Sequence, residues 1–198
     1  DENSDQIRFL NDLMIQKYIQ LIDGSLQRNR FSQAKERLRI AQSIDPNHPL
    51  LTNISSNISS SELAYKRAKA LEYAGELVTI PQGEFFMGSA SSELTEEMPR
   101  HSVKVPSFKM SKTEITVAQF QIFMDNTGYK TIAEEDDQGC FVYSKHWQEL
   151  KSSDWQKPGY IQSKNHPVVC VSFYDVQAYI SWLNKETGLK FRLPSESE

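Results

Sequence analysis

The stretch from His166 to Glu198, HPVVCVSFYDVQAYISWLNKETGLKFRLPSESE, constrains the fold more than any other. Pro167 opens a short apolar run, Val168-Val169-Cys170-Val171, too brief for a helix and rich in β-branched residues, which predicts a buried strand. Ser172 occupies a helix N-cap position, with Asp175 three residues on, near the positive end of the helix dipole. Val176, Tyr179, Ile180 and Leu183 then recur at helical spacing with Trp182 beside them, and Gly188 supplies the stop. Phe191-Arg192-Leu193 predicts a second short strand, ended by Pro194. Ser195-Glu196-Ser197-Glu198 has the spacing of a capping box, which announces another helix. On that pattern the chain is expected to be a fragment or a cut domain.

The first 74 residues have a different period. From Asp5 to Tyr73 no strand-like alternation occurs, while Ile7, Leu10, Leu13, Met14 and Tyr18 recur at steps of three and four, as do Ala34, Leu38, Ala41 and Ile44. Asp45-Pro46-Asn47 stops the second helix and His48-Pro49 begins a third, expected over Leu50 to Tyr73, with a kink or frayed turn in serine-rich 55–61. Asn53-Ile54-Ser55 and Asn57-Ile58-Ser59 are glycosylation sequons by pattern, and such tripeptides also arise by chance.

Beyond Gly75, Leu77–Ile80 predicts a strand, Pro81-Gln82-Gly83 a turn and Glu84–Gly88 its hairpin mate. Residues 89–100 are polar and predict a surface loop, followed by strands at His101–Val105 and Phe108–Thr113. Thr116 with Gln119 forms a capping box for a helix carrying Phe120, Phe123 and Met124 and closed by Asn126-Thr127-Gly128. The region 129–165 scatters aromatics among charges. Exposed, Trp147, Trp155 and Tyr160 would make a ligand surface for peptide or sugar; buried, they would plug a core short of regular structure. Glu134-Glu135-Asp136-Asp137 offers carboxylates to a calcium ion, or simply a solvated acidic loop.

A net charge of -4 lacks the basic face of a nucleic-acid binder, and no apolar run approaches the roughly 18 residues of a membrane helix. The chain begins with Asp, consistent with a removed leader or anchor. No phosphate loop or nucleophile elbow is present, and the four histidines lack ligand spacing, so neither catalytic residues nor a metal site are expected. Cys140 and Cys170 form no CxxC; they read either as two buried thiols or as one disulfide.

Three blocks carry a resemblance. They are Leu77–Gly88 (LVTIPQGEFFMG), Pro106–Phe120 (PSFKMSKTEITVAQF), and the order HPVV-x-VS-aromatic-x-DV-x-AY-x-x-WL…RLP-S-E-x-E. In this order they resemble the N-terminal half of the formylglycine-generating enzyme, or sulfatase-modifying-factor, family. The resemblance implies an α+β fold of the irregular C-type-lectin-like kind, incomplete over residues 75–198, behind an all-α region at 1–74. It also implies a Cys140–Cys170 disulfide, since many bacterial members pair cysteines in "GC…PVVCVS", and hence an extracytoplasmic location, a bacterial periplasm or cell surface. In enzymes of this family the copper-binding cysteine pair and the calcium sites lie after the RLP segment, so this chain is expected to hold no cofactor. Iron-binding relatives take histidines from a helical bundle, where only His48 stands here. Around Pro46, Leu21, Phe31, Ala34, Leu38 and Ala41 resemble one tetratricopeptide repeat, which points to a protein or peptide partner. Two functions follow from the resemblance: a non-catalytic protein- or ligand-binding module, or the scaffold half of a copper-dependent oxidoreductase that converts a target cysteine to formylglycine.

Overall fold

The computed structural model describes residues 2–90, 95–135 and 139–198. The chain divides into two compact units, Asp1–Ala68 and Lys69–Glu198. The division falls inside the helix Ile54–Ala74.

The first unit is helical. Helix α1 (Glu2–Leu26) packs against α2 (Phe31–Ile44), and α3 (Ile54–Ala74) follows a single 3-10 turn at Pro49–Leu51. Ala34 and Ala41, both fully buried, let the α1–α2 pair approach closely around Ile15, Ile22, Leu38, Leu51 and Ile58. His48 ends this hairpin: Nδ1 accepts from Leu50 N–H at 3.2 Å, and Nε2 lies 3.0 Å from the Asp12 carboxylate. The third helix starts at Ile54 rather than Leu50, since the residues after Pro49 close the 3-10 turn first. The helix runs unbroken through 55–61, so the turn there is not frayed. Ser56, Ser59 and Ser60 hydroxyls donate to carbonyls three or four residues back, so their polar groups are satisfied within the helix.

In the second unit the expected hairpin of 77–80 with 84–88 is replaced by two nested antiparallel pairs. Strand β1 (Leu77–Ile80) pairs with β4 (Phe108–Ser111), and β2 (Gly83–Met87) with β3 (His101–Val105). Ile80 faces Phe108 and Gly83 faces Val105, so three residues advance on each side and the register continues without slip. The gap holds Pro81 and Pro106, one on each side, and proline has no N–H for a ladder. The closing turn brings Ser89 N–H to Glu97 O at 2.8 Å, and Gly88 is required there because a Cβ would stand 2.5 Å from that carbonyl.

Helices α4 (Val117–Thr127) and α6 (Phe173–Thr187) are bounded as their sequences predict. Each has a complete capping box, Thr116/Gln119 and Ser172/Asp175, and a left-handed glycine, Gly128 and Gly188, behind it. Phe120 and Phe123 from α4 meet Tyr179, Trp182 and Leu183 from α6, with Tyr73, Ala74 and Trp155, in one aromatic core. The Tyr179 hydroxyl donates to Tyr73 O within it. A short helix α5 (Ile132–Glu135) and a hairpin, β5 (Cys140–Ser144) with β6 (His146–Leu150), complete the unit.

Two expected strands are absent. The Thr116↔Pro167 bridge stands just before residues 168–171, Val168 N–H donates to Ile115 O at 2.9 Å, and Cys170 then turns left-handed at φ 58° and leaves the extended path. At 191–193 no partner strand is found among the described residues. Instead the Asn184 side chain donates to Phe191 O and accepts from Phe191 N–H, taking over what a ladder would supply.

Candidate functional site

The β5–β6 hairpin carries the most distinctive surface of the second unit. Its sequence, CFVYS-K-HWQEL, alternates, so Phe141, Tyr143 and Trp147 share one face while Cys140, Val142 and Leu150 share the other. Lys145 makes the turn at φ 69°. Tyr143 stands directly opposite Trp147, their rings 5.5 Å apart in an edge-on arrangement. Phe141, Tyr143 and Trp147 are 69%, 68% and 69% exposed.

An isolated two-stranded hairpin is marginal in water. This one is fixed at its open end. A disulfide joins Cys140 to Cys170, with Cα atoms 5.4 Å apart, so both cysteines are bonded and neither is free. Buried Ser153 accepts from Cys140 N–H at 3.0 Å and donates to Leu150 O at 2.5 Å, stitching the two strand ends together. Gly139 passes so close to Leu150 that a Cβ would lie 1.9 Å from its carbonyl oxygen. Behind the hairpin Val142 and Leu150 close over Gly159.

The three expected surface aromatics separate. Trp147 lies on the exposed face. Tyr160 is half exposed, and no ring contact joins it to that face among the described residues. Trp155 is a correction: it is 1% exposed, edge-on to Phe120 at 5.3 Å, because Asp154 makes a tight turn whose carboxylate accepts from Gln156 and Lys157 N–H and the indole is swept inward. Phe141 and Tyr143 join Trp147 instead, and the alternation around Lys145 is the signal that groups them.

A second polar centre is built around one buried carboxylate. The Asp175 carboxylate, fully buried, accepts from Ser172 N–H at 2.7 Å, Tyr129 Oη–H at 2.9 Å and Ile132 N–H at 3.1 Å. Burial, then the hydrogen bond to Asp175, pushes the Tyr129 phenol up to about 12. At the chain's end Arg192 forks Glu198 at 2.5 and 2.6 Å, and with Ser195 N–H holds that carboxyl down at about 2. Both centres orient backbone rather than opening onto a cleft.

Among the described residues, no three His, Cys, Asp or Glu side chains are placed to hold a metal ion. Of the acidic run, Glu134 is engaged by Thr131, while Asp136 and Asp137 lie outside the described residues. Copper bound through a thiolate pair does not fit this set, because the only two cysteines are joined to each other. No helix among the described residues is long and apolar enough to cross a membrane.

Comparison with known proteins places these features. The formylglycine-generating enzyme of Streptomyces coelicolor is 32% identical over 145 residues, 61% of this chain and 44% of that protein. Hercynine oxygenase of Mycolicibacterium smegmatis is 27% identical over 63% of this chain and 30% of its own length. The serine/threonine-protein kinase Pkn1 of Chlamydia trachomatis is 32% identical over 62% of this chain and 18% of its own length. The chain thus spans less than half the length of these curated relatives. The sulfatase-modifying factor enzyme 1-like domain matches residues 62–198, well over half the chain, and the chain belongs to that family.

Proposed function

We propose that the chain is a non-catalytic protein- or ligand-binding module of this family, working outside the cytoplasm as part of a larger C-type-lectin-like scaffold. One observation carries the reading: three large aromatics presented to solvent on a hairpin whose base is fixed by a disulfide, a glycine contact and a buried serine. Rigid aromatic side chains supply contact area at low entropic cost and dominate binding hot spots. The disulfide supports an oxidising compartment. Exposed Ile161, Phe173 and Tyr174 support further chain packing on this unit. A bound protein or peptide partner suits the aromatic face, with no nucleic acid and no cofactor involved. Screening the chain against an immobilised peptide library tests this. Binding that Trp147→Ala or Tyr143→Ala abolishes is the expected result; equal binding by both variants removes the reading.

The relatives named formylglycine-generating enzyme favour a second reading, in which this piece is the scaffold half of a copper-dependent oxidoreductase, with calcium sites, completed by residues after Glu198. The parent gene separates the two: a closely spaced cysteine pair late in the domain supports the oxidoreductase, and its absence supports binding.

A further inference from the structure

The aromatic face of the β5–β6 hairpin also carries a charge. Phe141 stands opposite Glu149 and Tyr143 opposite Trp147, so strand alternation puts the Glu149 carboxylate on the same face as the three rings. Glu149 is exposed, and among the described residues no ion pair or hydrogen bond engages its carboxylate. It lies two residues from Trp147 along β6, about 7 Å. Elsewhere the chain covers an exposed ring with a cation of its own: the Arg100 guanidinium sits 4.7 Å from the centre of Phe86, which is 64% exposed. No such cation covers Phe141, Tyr143 or Trp147 among the described residues, and Lys145 between them occupies the turn at φ 69°.

We infer that this face takes a cationic side chain, lysine or arginine, from a partner peptide. The inference rests on the proposed binding role and adds the chemistry of the ligand. A ring face attracts a cation through its quadrupole, and a carboxylate beside the rings attracts it through charge. A purely apolar ligand spread over all four residues would strip water from Glu149 and offer it no partner. An anionic ligand would meet like charge. A long basic side chain answers both halves of the face, its stem lying on the rings and its charged head reaching Glu149.

The test is an NMR titration of the isotope-labelled full chain with acetyl-Gly-Arg-Gly-amide and with acetyl-Gly-Lys-Gly-amide. The signal followed is the Trp147 indole N–H, assigned by its loss in Trp147→Ala. At least one peptide should shift it saturably. The uncharged counterpart, with citrulline or acetyl-lysine in the middle, should bind about fivefold or more weakly. Glu149→Gln, at an exposed position, should weaken the charged peptide about two- to fivefold and flatten its salt dependence. Equal binding of charged and uncharged peptides overturns the inference, as does unchanged binding by Glu149→Gln or the absence of any shift. A Trp147 signal that moves with protein concentration alone places a second copy on this face and also overturns it. The binding role is judged separately: a library peptide that needs Trp147 and Tyr143 but carries no lysine or arginine sinks the inference and leaves that role standing.

Discussion

Tyr129 donates its hydroxyl hydrogen to Asp175 at 2.9 Å, joining residues 46 apart in sequence. The same carboxylate caps α6 through Ser172 and holds the Ile132 N–H at the start of α5, so one buried side chain orients three segments. Replacing Asp175 with Ala leaves three partly buried donors without that acceptor. The second unit should lose roughly 2–4 kcal/mol in urea unfolding. Asp175→Asn keeps one acceptor oxygen and should cost less; equal losses would refute the multi-donor account.

The same pair sets an alkaline limit. Tyr129 is raised from 10.0 to about 12 in the folded chain, and a raised pKa means that its stabilising contribution is complete below pH 10. It fades as pH climbs through about 12, when the phenolate would face Asp175. Tyrosinate absorbance should therefore show an ionisation step near pH 12, and Tyr129→Phe should remove it.

Trp147 and Trp155 should respond oppositely to truncation. Trp155→Ala empties a fully buried site against Phe120 and should cost roughly 3–5 kcal/mol. Trp147→Ala removes an exposed ring and should move stability by about 0.5 kcal/mol or less beyond its pairing with Tyr143. Acrylamide quenching of single-tryptophan variants checks the placement, with Trp147 strongly quenched and Trp155 shielded.

The crosslink gives a chemical test. Denatured, unreduced protein should contain no reactive thiol. Cys140→Ser with Cys170→Ser should lower stability by roughly 3–4 kcal/mol, the loop-closure contribution for residues 30 apart. Hydrogen exchange should rise first in β5–β6, whose base the bond fixes.

Acid acts at the chain's end. Arg192 and Ser195 hold Glu198 down at about 2, so the clasp is complete above the ordinary carboxylate value of 4.5 and is lost as pH falls through about 2. Carboxyl NMR shifts of Glu198 should show that low midpoint, and Arg192→Gln should return it toward 4.5.

Local chemistry was legible in the sequence where it acts within a few residues. Thr116/Gln119, Ser172/Asp175, Gly128 and Gly188 mark both helices of the aromatic core because caps need only near neighbours. Long-range pairing was not legible. Pro81-Gln82-Gly83 reads as a turn, yet β1 finds its partner at β4 because the ladder resumes beyond the prolines. The β-branched run at 168–171 loses to the left-handed turn at Cys170. Trp147 and Trp155 are the same residue among polar neighbours; only the alternation around Lys145 and the Asp154 turn separate outside from inside.

The uninterrupted count from Ile80/Phe108 to Gly83/Val105 ties the two strand pairs into a single ruler. Deleting Gln82 alone would therefore turn over one pair relative to the other, exchanging its wet and dry sides. Deleting Gln82 together with Pro106 would shorten both edges equally and leave every remaining partner in place.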